Sequence, residues 1–223
     1  MRKTIIAILT LAVLAAVLAG CQGDPLDYLY TENIYNSSAL ETGSIEYTED
    51  CWEEITVTAD GMGTLVGEAP TESNCQSGFV YLMANYALVG DEPYVHFSVQ
   101  LPHNYKEGTD IIFSVRFVFD ADEVGTYVRW AIGYSWANIG DAFPVVSHIW
   151  ALSDPSNNDN TVHQVTKFAA IDGTGKEMGS IVMCYLKRNS SDASDTYTGT
   201  AILIAVSVLY QVDSAGSASE WSK

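Results

Sequence analysis

Positive charge is scarce in this 223-residue chain: 10 Lys and Arg stand against 28 Asp and Glu, a formal net charge of −18. So acidic a chain repels nucleic acid and anionic lipid headgroups, which argues against either as a partner. Only four cysteines are present, with no CxxC and no Cys/His cluster, so no zinc site is indicated. The motifs of common enzyme chemistry are also missing. There is no G-x-S-x-G, and the serines are not grouped with His and Asp. Gly173-Thr174-Gly175-Lys176 lacks the P-loop spacing and a βαβ setting, and reads as a turn. No internal repeat is visible, and beyond the N-terminus there is no 3.6-residue periodicity and no further apolar run long enough to span a membrane.

The N-terminus is distinctive. Arg2 and Lys3 precede an apolar run from Thr4 to Leu18, followed by Leu18-Ala19-Gly20-Cys21. A short basic region, an apolar stretch and small residues form a secretory signal, expected over residues 1–20 as a helix. The L-A-G-C ending resembles a bacterial lipobox, which makes Cys21 the expected site of lipidation and the new N-terminus. Membrane contact is then through that lipid. Loss of Arg2 and Lys3 with the signal takes the charge from −18 to −20. Residues 21–44 are polar with scattered aromatics (Tyr28, Leu29, Tyr30, Ile34, Tyr35) and read as a tether or docking arm. Residues 45–223 suit a single domain.

Within that domain the pattern is period two. Val95, Phe97, Val99 and Leu101 alternate with Tyr94, His96, Ser98 and Gln100, and Ile111, Phe113, Val115, Phe117 and Phe119 repeat the pattern after PHNYKEGTD. Further strands are expected over 52–59, 79–89, 127–136, 145–152, 161–169, 180–188 and 198–212, with SDPSNNDN (153–160) as a hairpin tip. The last of these is apolar on both faces, with Ile202, Ile204, Val206, Val208 and Tyr210 on one and Ala201, Leu203, Ala205 and Leu209 on the other. Such a strand is central in its sheet or packs on another chain. Many strands between Gly, Asn and Asp turns predict an all-β, jelly-roll-like sandwich.

Export permits disulfides, and Cys51 and Cys75, both in the polar early region, are the expected pair. Cys184, in an apolar strand, is expected to be a buried free thiol. His148 and His163 approach each other if the strands around 153–160 form a hairpin, but no third metal ligand is evident. The acidic loop Asp120-Ala121-Asp122-Glu123 leaves calcium as the one open cofactor, without EF-hand spacing. No metal and no catalytic residue is assigned.

Several ordered segments resemble a known family, the uncharacterised virion or tail-type structural proteins of tailed phages and related mobile elements. Leu101-Pro102-His103 with Lys106-Glu107-Gly108-Thr109-Asp110 resembles the family's LPHxxKEGTDI segment, and Trp130 with Tyr134-Ser135-Trp136-Ala137-Asn138 its W…Y.WAN strand. After Asp172-Gly173-Thr174-Gly175-Lys176 come Arg188, Asp192, Asp195-Thr196-Tyr197, Gly199 and Ala201, resembling R…D..DTY.G.A. Tyr210, Asp213, Gly216-Ser217, Glu220 and Lys223 are similar to the Y..D..GS..E..K ending. The resemblance covers residues 52–223 and implies a structural role in an assembly. Family members carry His-x-His where Ser114 and Arg116 stand here, so no metal role is carried over, and they lack a lipobox.

Two functions follow as expectations, neither enzymatic. The first is an exported structural subunit, on the cell surface or in an extracellular filament or virion-like assembly. It would self-associate as a homo-oligomer through Leu203, Ala205 and Leu209, with Trp221 docking the tail. The second is a surface carbohydrate-binding or adhesive module that uses exposed Tyr and Trp to hold a glycan.

Overall fold

A computed structural model describes residues 46–64, 70–75, 78–83, 93–121, 123–156 and 162–214. The expectations for the signal at 1–20, the arm at 21–44, lipidation at Cys21 and docking by Trp221 lie outside these residues.

Among the described residues ten strands form two antiparallel sheets packed face to face: β1 (Glu46–Thr58), β2 (Thr71–Cys75), β3 (Gly78–Met83), β4 (Tyr94–Gln100), β5 (Ile111–Phe119), β6 (Arg129–Ala137), β7 (Ser147–Leu152), β8 (Gln164–Lys167), β9 (Ile181–Arg188) and β10 (Ala201–Ser214). The larger sheet runs β2-β3-β10-β5-β8, with β1 also paired to β10; the smaller runs β4-β9-β6-β7. The pairs β3/β10, β4/β9, β5/β8 and β6/β7 are nested. The chain thus folds like one long hairpin whose tip is the β6–β7 loop, wrapped into two sheets. This is the strand order of a jelly roll, and it leaves β7 at one edge of the smaller sheet.

The period-two rows predicted for 94–119 are the core rows. Phe113, Phe117 and Phe119 of β5 are fully buried or nearly so, as are Val95, Trp130, Ile132, Val182 and Leu186 from the opposing sheet. Edge-to-face ring contacts stitch the layers, Phe117 to Trp130 with centroids 5.2 Å apart and Phe97 to Phe113 at 6.2 Å. The 94–119 segment is not a hairpin, because its two strands lie in different sheets. β7 and β8, on either side of the expected 153–160 hairpin tip, likewise lie in different sheets, since β7 pairs with β6 and β8 with β5. Strand β2 lies between the strands expected at 52–59 and 79–89, where no strand was expected.

The doubly apolar character of β10 has a local cause. Leu203 pairs with Phe117 and Ala205 with Arg116, so Ile204 is an extra residue, a β-bulge. Across it the inward row switches from odd residues (Ala201, Leu203) to even ones (Val206, Val208, Tyr210, Val212). Leu203 is therefore a core residue at 0% exposure, and Ala205, opposite Arg116, is only 2% exposed. Neither offers the outer surface expected of it; Leu209 alone of the three is partly exposed. The outer face beside the bulge is also polar. Arg116 pairs with Glu54 there and donates to Ser207 Oγ at 3.0 Å, while Thr56 and Ser207 hydroxyls lie 3.0 Å apart.

The Cys51–Cys75 pairing is corrected: Cys75 is a free thiol, as is Cys184, whereas Cys51 is disulfide-bonded. Register explains the separation. Cys51 lies opposite Val212, seven residues along β1 from Thr58, which pairs with Ala205 near the end of β10 that β3 joins. At about 3.3 Å per residue that is ~23 Å of strand, and a disulfide needs Cα atoms within roughly 7 Å.

Candidate functional site

The outer face of the smaller sheet is the most chemically distinctive surface. Residues directly opposite in an antiparallel sheet share a face, so the registers define cross-strand rows. One row is Tyr94, Lys187, Ala131 and Trp150; the next is His96, Tyr185, Gly133 and His148; a third begins Ser98, Met183 and Ser135. Strand β6 contributes only small residues to them, Ala131, Gly133 and Ser135, and Ala137 continues the series. A lane of low relief thus runs between large side chains on β7 and β9.

Tyr185 crosses that lane. A Cβ added at Gly133 would lie 2.3 Å from Tyr185 Cε1 and 2.4 Å from its Cζ, so only glycine lets the ring lie against the β6 backbone. The phenol then reaches β7, its oxygen 2.7 Å from His148 Nε2. His148 stacks with Trp150, planes within 20° and centroids 6.1 Å apart. On the other side Tyr185 meets Tyr94 at 5.3 Å and His96 at 6.3 Å, and Tyr94 and His96 meet edge to face at 5.0 Å. Five rings from three strands form one connected set. Trp150 is its exposed end, with 51% of its surface open to solvent. Ser98 and Gln100, both exposed, place hydrogen-bonding groups on the same face of β4.

The β6–β7 tip borders this face. Ser135 Oγ donates to Pro144 O at 2.7 Å and holds the returning arm of the loop against β6. Beyond that anchor Ile139, Phe143, Val145 and Val146 are exposed, Val145 at 91%.

The segments behind the family resemblance serve the scaffold. Glu107 accepts from Met178 N, Asp110 from Gly173 N, and Asn138 bonds both Gly175 O and Glu177 N. Lys176 Nζ donates to Trp136 O at 2.9 Å, and Trp136 Nε1 donates to Ser180 Oγ at 2.8 Å. Together these tie the 101–110 and 171–180 loops to the end of β6. Tyr105, buried and facing the carboxylates of Asp110 and Glu107, has its phenol pushed up to about 12 while it donates to Thr109 O.

Two of the acidic residues considered for calcium, Asp120 and Glu123, are also engaged, and Asp122 lies outside the described residues. Asp120 Oδ1 accepts from Tyr197 Oη at 2.7 Å and Thr200 N at 2.7 Å, and Glu123 accepts from Thr198. Among the described residues no group of three or more His, Cys, Asp and Glu could hold a metal ion. His148 lies on β7 and His163 precedes β8, in the other sheet, so the hairpin that would have joined them does not form. The sequence reading missed Tyr185 as the centre of the ring cluster. Its signal was the run of small outward residues on β6, which marks a place where a neighbour's side chain can lie down.

No family model matches the chain, and no curated protein matches it. Solved structures show distant similarity. A carbohydrate-binding module, TmCBM61, solved in complex with β-1,4-galactotriose, aligns at 13% identity and TM-score 0.28 over 81% of this chain and 99% of that one. The Eiger TNF of S. frugiperda aligns at 9% and 0.24 over 79% and 94%. The K1 adhesin domain of Lys-gingipain from Porphyromonas gingivalis aligns at 14% and 0.22 over 78% and 97%. No ligand, partner or residue role follows from these similarities.

Proposed function

We propose that the domain is a non-enzymatic binding module of an exported protein, and that its ligand is a carbohydrate held on the outer face of the smaller sheet. The observation that carries this reading is Trp150, half exposed on a rigid strand and fixed by stacking on His148, itself held by Tyr185. A flat, pre-positioned indole presents its electron-rich face to the C–H face of a sugar ring, and neighbouring polar groups bond the hydroxyls. Holding the platform in place before the ligand arrives reduces the ordering cost of binding. The basic N-terminus and the apolar run that follows it support export, which would place the module outside the cytoplasm.

A glycan array followed by calorimetry on the hits tests the reading. Trp150→Ala is expected to abolish binding. Trp52→Ala, which removes a comparably exposed indole (41%) from the larger sheet, is expected to leave it intact. An array with no hits, or equal binding by both variants, rejects the proposal.

A further inference from the structure

A second surface is separate from the open face of Trp150. Strand β7 pairs with β6 on one side, and among the described residues no strand pairs with its other side. Such an edge presents a row of backbone donors and acceptors that another strand can complete. Natural edges are usually guarded by lysine, proline or an inward charge. Here, from Asp141 to Asp154, there is no Asp, Glu, Lys or Arg between the two end residues, and within the strand itself no proline. Of the eleven exposed large apolar side chains among the described residues, five lie on this stretch, Phe143, Val145, Val146, Trp150 and Leu152, and a sixth, Ile139, lies just before it.

We infer that β7 and the tip preceding it form the contact through which two copies of this chain associate, by antiparallel pairing of their β7 strands. Charge selects the occupant. Two copies of a chain with formal charge −18 repel each other over most of their surface, and they can approach only where that charge is absent. The uncharged strip coincides with an unpaired edge, and antiparallel pairing about a two-fold axis lets one strand complete its own copy. It also joins the two smaller sheets into one of eight strands, with both Trp150 faces on the same side. The inference does not rest on the carbohydrate reading, since the edge can pair whether or not the face binds a sugar.

Sedimentation of the full-length chain in density-matched detergent tests it, with Val145→Lys/Leu152→Lys as the disrupting variant and Val124→Lys as an exposed control outside the strip. Circular dichroism confirms that each variant is folded. The expected result is a dimer for the wild type and the control and a monomer for the double variant. The wild-type dimer should strengthen with added salt, because screening weakens the repulsion and leaves the apolar contact. A wild-type monomer overturns the inference, as does a dimer that survives the double variant, which would place the contact elsewhere, including the N-terminal segment. Dissociation by salt would show a charge-driven contact and overturns it too.

Discussion

Arg188 holds Asp195 with two parallel hydrogen bonds inside the sandwich, Nε to Oδ2 at 2.9 Å and Nη2 to Oδ1 at 2.6 Å, with both side chains essentially inaccessible to water. The remaining capacity of the pair is also used. Arg188 Nη1 donates to Gly199 O at 2.6 Å and Met83 O at 3.2 Å, Nη2 to Tyr197 O, and Asp195 Oδ2 accepts from Arg129 N at 2.9 Å. A buried ion pair is tolerated when every donor and acceptor is met. This one joins β9, the loop before β10 and the end of β3, drawing the two sheets together at one end.

Removing one partner should therefore be costly. Arg188→Met strands the Asp195 carboxylate and three carbonyls, and the expected loss is about 3–5 kcal/mol in urea unfolding. The double variant Arg188→Met/Asp195→Leu should recover only part of it, because the carbonyls of Met83, Tyr197 and Gly199 stay unpaired. A single-variant loss below about 1 kcal/mol would contradict this account.

Alkaline pH should unfold the domain in step with tyrosine ionisation. Burial raises the phenols of Tyr105, Tyr197 and Tyr210, with further upward pressure from the bonded carboxylates of Asp120 on Tyr197 and Glu53 on Tyr210. Each folded value lies above the ordinary 10.0, so above that pH the unfolded chain loses these protons first. The contribution to stability is complete below pH 10 and falls as pH rises towards the folded values. Urea midpoints should be level just below pH 10 and drop beyond it. Tyr197→Phe should flatten the drop at the cost of the bond to Asp120. A midpoint that rises above pH 10 would reverse the sign.

Much of this architecture was legible in the sequence, because period two is a local signal. The rows at Val95–Val99, Ile111–Phe119 and Val128–Trp136 could be placed on inward faces from spacing alone. Strand partners are not local, and the nested order that separates β4 from β5 and β7 from β8 leaves no mark on the residues between them. The β10 bulge misled for a similar reason. One extra residue at Ile204 makes a strand with a single apolar face look apolar on both. The candidate site was half legible: the small residues of β6 announced a lane, but that Tyr185 fills it depends on a register only the fold reveals.

The cysteines should differ in reactivity. Cys184 lies in the core at 6% exposure, and burial raises its thiol well above the ordinary value, so it holds no thiolate at neutral pH. Cys75 is partly exposed at the β2–β3 turn. A thiol reagent added to the native protein should modify Cys75 and spare Cys184, with the second equivalent appearing only in denaturant. Peptide mass mapping identifies the modified residue. Rapid native labelling of Cys184 would mean that the β9 core opens readily.

Gly133 and Tyr185 provide the test that links packing to the proposed role. In Gly133→Ala the added methyl meets the Tyr185 ring and must lift it off β6. Overpacking of this kind costs about 1–3 kcal/mol. The lifted phenol also leaves His148, which loses the bond that holds it under Trp150. Tyr185→Phe removes that same bond while keeping the ring on the glycine, so it separates the two effects. If platform order sets affinity, Tyr185→Phe should weaken glycan binding several-fold with little change in the urea midpoint, and Gly133→Ala should lower both. If Tyr185→Phe instead binds as the wild type does, the ring stack stabilises the sheet and does not position the ligand, and Trp150 would have to act without its supports.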